Sequence, residues 1–297
     1  MSSGPADRGR LLPATGGLDA PALMGLFAAH AIPGVDAVDV RDATLTRAVR
    51  LTSGHRAVTV AVEPAGVRVF SPGLSGSDRT ELGAVVRAWL DLDTDLAPVN
   101  AVLAADPLLA PLVAARPGLR VAGCLDPFEA AATTVLGQQV SLAACRTFAG
   151  RLVAAYGSDG PAGLRTFPAA EAVAGAAHED LRAAVGITNA RARTLRALAG
   201  AFLRAGHAEG EVIRKVPESP WFPLSRAELL ALPGIGEWTA GYLAVRASGD
   251  RDAFAPGDLV LRRALGGIST TEAAERARNW SPYRAHALMH LWTSTAY

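Results

Sequence analysis

The chain has 297 residues, half of them hydrophobic and 19% charged, with a formal net charge of +1. That length supports two domains or one large one, no apolar run nears the ~20 residues of a membrane span, and two cysteines exclude a disulfide framework or a four-cysteine iron–sulfur cluster. Near-neutral charge gives no support to nucleic-acid binding, so any such reading must rest on local arginines and backbone amides.

Residues 1–17 are rich in Ser, Gly, Pro and Arg, lack an apolar signal core, and read as a disordered tail. With so few cysteines, the cytoplasm is the expected compartment. Residues 21–31 predict a short helix through Leu23, Met24, Leu26 and Phe27. Strand-like runs follow at 35–51, 57–62 and 67–70, the last after a Pro-Ala-Gly turn. Residues 78–92 predict an amphipathic helix with Leu82, Val85, Val86, Trp89 and Leu90 on one face. Strands with flanking helices make an α+β unit, placed at 18–103.

Residues 104–297 read as all-helical. Helices are predicted over 100–112 with a break at Pro107, then over 126–137 and 141–156, separated by Gln138, Gln139 and Val140. Ser141 suits the cap of the last of these. After a loop at 157–163, residues 178–185 and 189–205 are helical in pattern. Arg191, Arg193 and Arg196 on the latter read either as phosphate contacts or as a solvated face. A loop at 206–223 holds Trp221.

The most informative stretch is the helical hairpin at about 226–246. Ser225 can cap its first helix, Pro233 fixes φ, and Gly234 and Gly236 permit positive φ or close backbone approach. From Glu237 to Arg246 only Gly241 interrupts a helical run. Such a turn lets backbone amides and a helix N-terminus face one anion. A phosphate gripped through Gly234, Ile235, Gly236 and Thr239 would not be read for sequence. The alternative is an ordinary helix–helix turn. Phe254-Ala-Pro256-Gly257-Asp258 then leads into residues 259–265, and further helices start at Thr270 and span 283–292.

Three segments, in this order, carry a resemblance. They are Ala115-Arg-Pro-Gly-Leu-Arg-Val-Ala-Gly-Cys124-Leu-Asp-Pro-Phe128 with Val135-Leu-Gly-Gln-Gln-Val-Ser141, the stretch 232–258, and Tyr283-Arg-Ala-His-Ala-Leu-Met-His-Leu-Trp292. Together they resemble the helix-hairpin-helix DNA glycosylases, and within them 3-methyladenine DNA glycosylases of the AlkA type. The resemblance spans about residues 20–297. It implies an antiparallel sheet in the first unit and a cleft between two helical subdomains in the second. It also implies Asp258 as the catalytic carboxylate and Trp238, Tyr242, Trp292 and Leu26 around a base pocket. Gln139 would fill the gap left by a flipped base. The carbonyls of Leu230, Leu232 and Gly234 would hold a monovalent Na or K ion, with no other cofactor. Relatives place leucine where Gln139 stands and an aromatic where Leu26 stands, and Thr293 departs from the pattern as well.

The chemistry is consistent with these residue types. Flipping a base costs a few kcal/mol of unstacking, which aromatic contacts offset at about 1–3 kcal/mol each. An N-alkylated purine is cationic, and ring faces attract cations by ~0.5–2 kcal/mol. As the glycosidic bond breaks, a fixed carboxylate stabilises the charge developing on the sugar and can orient the attacking water. Asp258 is also placed to cap the helix from Leu259, where the helix dipole favours a carboxylate. In bifunctional relatives a Schiff-base lysine lies about where Trp238 stands. The sole lysine, Lys215, precedes the hairpin.

The expectation is a monofunctional, monomeric, nucleoid-associated enzyme of base excision repair. It would act on double-stranded DNA carrying alkylated bases and leave an abasic site. A non-catalytic helix-hairpin-helix DNA-binding protein, or a same-fold glycosylase for another lesion, are the alternatives. Trp89 and Trp280 read as core aromatics, Asp250 and Asp252 as turn residues, and His286 and His290 as packed or solvent-facing.

Overall fold

The structure, a computed structural model, describes residues 9–206 and 222–296. Lys215, Trp221 and residues 1–8 lie outside the described residues.

Five strands form one antiparallel sheet in the order β1-β5-β4-β3-β2. They are β1 (Arg10–Pro13), β2 (Asp36–Asp39), β3 (Thr44–Leu51), β4 (Gly54–Glu63) and β5 (Gly66–Phe70). β1 corrects the expectation of a disordered tail through residue 17. Leu12 pairs with Val67 and lies in the core. A four-residue strand in a Gly/Pro-rich flank is too short to show alternation, and Pro13 sits at its end on an edge strand, where a missing N–H is tolerated. The single run expected at 35–51 is two strands. Asp39 breaks it by accepting hydrogen bonds from the amides of Arg41 and Asp42, a local side-chain turn that competes with the ladder.

α1 (Ala20–His30), capped by Asp19, and α2 (Gly76–Trp89), capped by Ser75, cover one face of the sheet. Their Phe27 and Trp89 rings stack at 5.4 Å over the valines of β4 and β5. The remaining helices are α3 (Leu96–Leu103), α4 (Ala110–Ala115), α5 (Pro127–Gly137), α6 (Leu142–Tyr156), α7 (Ala170–Gly175), α8 (His178–Val185) and α9 (Asn189–Arg204), followed by α10 (Arg226–Leu230), α11 (Glu237–Ala247), α12 (Leu259–Ala264), α13 (Thr270–Arg276) and α14 (Arg284–Ala296). Among the described residues, none is long and apolar enough to cross a membrane. α7, six residues of an alanine-rich stretch, escaped the periodicity reading because so short a segment shows little more than one turn.

Two helical cores form. α5 to α11 enclose one, around Phe128, Leu195 and Phe202. α3, α4, α12, α13 and α14 enclose the other, around Trp280, with Val245 of α11 reaching into it. α3, placed with the first unit by the sequence, packs with the C-terminal helices. Tertiary packing, not local pattern, decides this.

Strict alternation in β3 buries Leu45, Arg47, Val49 and Leu51 on one face. Arg47 is the exception to an apolar row. Its guanidinium pairs with Glu129 of α5 at 2.7 Å and with Asp36 of β2 at 3.4 Å. Burial pushes the Glu129 carboxyl up, Asp36 and Asp126 add to this, and Arg47 opposes it. The triad joins the sheet to the middle helices. Removing one partner of a buried ion pair leaves uncompensated charge. Arg47→Met is therefore expected to lower unfolding free energy by about 3–5 kcal/mol in urea denaturation, and adding Glu129→Leu and Asp36→Asn to recover most of it. A single-mutant cost below about 1 kcal/mol would mark the triad as solvent-screened.

Candidate active site

Gly241 is where the fold makes the site. A Cβ there would stand 3.2 Å from both the Phe254 carbonyl oxygen and the Ala255 Cβ. The break in an otherwise good helix lets residues 254–258 cross α11 in close contact. Asp258 is thereby delivered beside Trp238.

Asp258 is 6% exposed and caps α12. Its Oδ1 accepts from the Leu261 amide at 2.8 Å and from Trp292 Nε1 at 2.9 Å, and its Oδ2 accepts from Trp238 Nε1 at 2.8 Å. Three N–H donors thus fill three of the roughly four lone-pair sites of the carboxylate. They offset the cost of burying it. Tyr242 lies between the two indoles, its ring 5.4 Å from that of Trp238 and 5.5 Å from that of Trp292. Burial pushes the Tyr242 phenol up, so it stays neutral near pH 7.

These rings wall a cavity of about 410 Å³, closed on other sides by Leu26 and Phe27 of α1, Leu142 of α6 and Met289 of α14. That size suits an enclosed small ligand or base. Leu26, Trp238, Tyr242, Trp292 and Asp258 are thus brought together as expected. Trp238, Tyr242 and Arg246 recur every four residues down one stripe of α11. Arg246 joins the cavity wall, and that spacing was the signal available for it. Arg47 and Glu129 also reach the wall; an arginine in the buried register of a strand was the signal for them. Cys124 and Cys145 line it too, but burial pushes both thiols up, which leaves them poor nucleophiles.

The hairpin forms through α10, closed by a capping box between Ser225 and Glu228. Gly234 has φ +79°, and a Cβ there would lie 2.2 Å from Thr194 Oγ1 of α9. Gly236 differs from expectation. Its backbone is extended at φ −111°, ψ −176°, and an added Cβ would meet nothing. It occupies the N-cap of α11, which has no side-chain cap. Ile235 is buried and its amide donates to the Leu232 carbonyl at 3.2 Å. Thr239 turns its side chain inward. It is 2% exposed, and its hydroxyl accepts from Gln138 Nε2 at 2.9 Å, so that side chain braces the hairpin from within. This leaves Gly236 and the first turn of α11 as the open edge of the hairpin.

Gln139 is exposed, with φ +54°, at the turn between α5 and α6. Its neighbour Gln138 was not singled out in the sequence, although paired glutamines in a helix–helix turn were visible there. Arg191 belongs to neither reading given for it. Its guanidinium donates to the Gln138 carbonyl and lies 5.8 Å from the Phe148 ring centre. Arg193 is exposed. Among the described residues no group of three or more His, Cys, Asp or Glu is placed to hold a metal. His286 and His290 are both buried, with His286 Nε2 3.7 Å from Asp91 Oδ2.

Two family models match the chain. Residues 11–126 match the AlkA N-terminal domain, and residues 132–281 match the HhH-GPD superfamily base excision DNA repair protein. The chain belongs to the HhH-GPD superfamily. It is 37% identical over 281 residues to a probable bifunctional transcriptional activator/DNA repair enzyme AlkA of Mycobacterium tuberculosis, covering 92% of this chain and 54% of that protein. The chain thus spans about half the length of that relative. It is 31% identical over 276 residues to DNA-3-methyladenine glycosylase 2 of Escherichia coli, covering 91% and 92% of the two chains. The 3-methyladenine DNA glycosylase from Archaeoglobus fulgidus shares the fold, with TM-score 0.77 and 21% identity over 96% of this chain and 98% of that one.

The site helix α14 carries a titration. Burial holds the His290 imidazole down to about 4, with His286 adding to the effect. The unfolded imidazole titrates near 6.5. The unfolded state therefore takes the proton first, and stability present above about pH 6.5 is lost as pH falls toward 4. Burial likewise holds His30 of α1 down to about 4. His290→Met is expected to flatten, not abolish, the fall in urea-unfolding stability across that window. An unchanged slope would show that His290 is free to protonate in the folded state.

Proposed function

We propose that the chain is a monofunctional DNA glycosylase that excises N-alkylated purines from double-stranded DNA, acting as a monomer. The observation that carries this reading is the buried Asp258 carboxylate, held by two indole N–H groups whose rings wall the adjoining cavity. A flipped base would stack against Trp238, Tyr242 and Trp292, which favour a cationic ring over its neutral parent. With Asp258 set beside that wall, its charge faces the sugar as the glycosidic bond breaks, and its remaining lone pair can orient water. The cationic base leaves with the bonding electron pair as a neutral purine, the sugar takes hydroxide from water, and the water's remaining proton passes to solvent. No lysine lies on α11, so no Schiff base with the sugar is expected.

The open edge at Gly236 would grip a backbone phosphate without reading sequence. The carbonyls of Leu232 and Gly234 each accept one hydrogen bond, which leaves each a second lone pair. With Leu230, these would be the donors for a monovalent ion that stabilises the turn. No reaction step runs through it.

Asp258→Asn is expected to slow release of 3-methyladenine from methylated duplex by ~10²-fold or more, the scale for one electrostatic stabiliser, while duplex binding persists. Normal release by this variant would overturn the catalytic assignment. Incubation with substrate duplex and borohydride should trap no protein–DNA adduct, and strand scission should need added alkali. A trapped adduct would establish lyase chemistry.

A further inference from the structure

Gln138 ties the α5–α6 turn to the hairpin through its side chain and to α9 through its backbone carbonyl. Its Nε2 donates to the Gly234 carbonyl at 3.0 Å and to Thr239 Oγ1 at 2.9 Å. A carbonyl oxygen only accepts, so the NH2 end of the amide must face it, and both of its protons are then used. The backbone carbonyl of the same residue accepts from Arg191 of α9. Gly234 in turn sits against Thr194 of α9. The turn is thus fixed from both sides.

The next residue is the exposed Gln139, at φ +54°. A non-glycine residue in the left-handed region is strained and persists where its surroundings over-determine it. The contacts of Gln138 are that over-determination. They hold the strained residue at a fixed place relative to the open edge at Gly236.

We infer that Gln138 is a positioning residue: it locks Gln139, which fills the place of the flipped base, to the hairpin that grips the phosphate. Strand binding then sets how far Gln139 enters the stack. This rests on the glycosylase reading above. It differs from a purely structural role in one respect. The coupling matters only when an orphaned base and its stack have to be held open.

The test is single-turnover release of 7-methylguanine from two duplexes, one with the lesion opposite cytosine and one with it opposite a tetrahydrofuran abasic analogue. Gln138→Ala is expected to slow the paired lesion by ~10-fold, the scale of lost hydrogen bonds, and to leave the second substrate near the wild-type rate. Gln138→Glu keeps the shape but turns oxygen toward the Gly234 carbonyl, and should behave like the alanine variant. Gln139→Ala should show the same selectivity, and combining it with Gln138→Ala should add little, as for two residues acting as one unit. Thermal melts identify any variant that loses folding, and the ratio between the two substrates is independent of the active fraction. Equal slowing on both duplexes, no slowing on either, wild-type behaviour of Gln138→Glu, or full additivity of the two changes would each overturn the positioning role. Failure of the wild-type protein to release base from either duplex would instead sink the glycosylase reading, and this inference with it.

Discussion

The Asp258 carboxylate is the point on which the rest of the site depends. It caps α12 and takes one indole N–H from α11 and one from α14. Three helices therefore meet at one buried acid. The rings that would hold a base are oriented by the same group that would stabilise the sugar as the base departs. Burial of an acid is expensive unless its acceptor sites are filled, and here the pocket walls fill them. Stability and chemistry are thus not separable at this residue. The fixed donors also mean that little reorganisation is left for the moment of reaction, which is the condition for a large electrostatic contribution.

A second constraint lies behind the first. The sheet unit holds no reacting group, yet α1 supplies Leu26 and Phe27 to the cavity. Its position depends on how the sheet sits against α5. The Arg47 triad fixes that contact with charge-assisted hydrogen bonds across the junction. A buried ion pair is a poor source of net stability but a good source of register. The sheet thus closes the pocket from a distance, by holding α1 in place.

Much of this was legible in the sequence. The hairpin was marked by Pro233 and its glycines, the helices of 126–156 by their periodicity and by Ser141, and the aromatic stack by its motif context. β1 was not legible, because four residues cannot show alternation. The membership of α3 was not either, since only tertiary packing joins it to Trp280. Arg47 reads as an interruption in a strand until its partners from β2 and α5 are seen. Thr239 was legible only in part. Its place in the first turn after the hairpin suggested a phosphate contact through the backbone, while the inward turn of its hydroxyl to Gln138 shows only in the packing.

The glycines and the strained glutamine divide by what explains them. Gly234 and Gly241 are required by the chain itself, since at each a side chain would strike protein atoms. Gly236 has no such requirement. Its φ is available to any residue and the space beside it is open. Gln139 is the converse, a residue that costs backbone strain while its side chain stands exposed. Both make sense if something approaches the hairpin closely and is entered by the turn beside it. A DNA strand offers both features, a phosphate for the bare N-terminus of α11 and a stack with a missing base for Gln139. On the proposed reading these two positions face the DNA, and Gln138 would hold them in register.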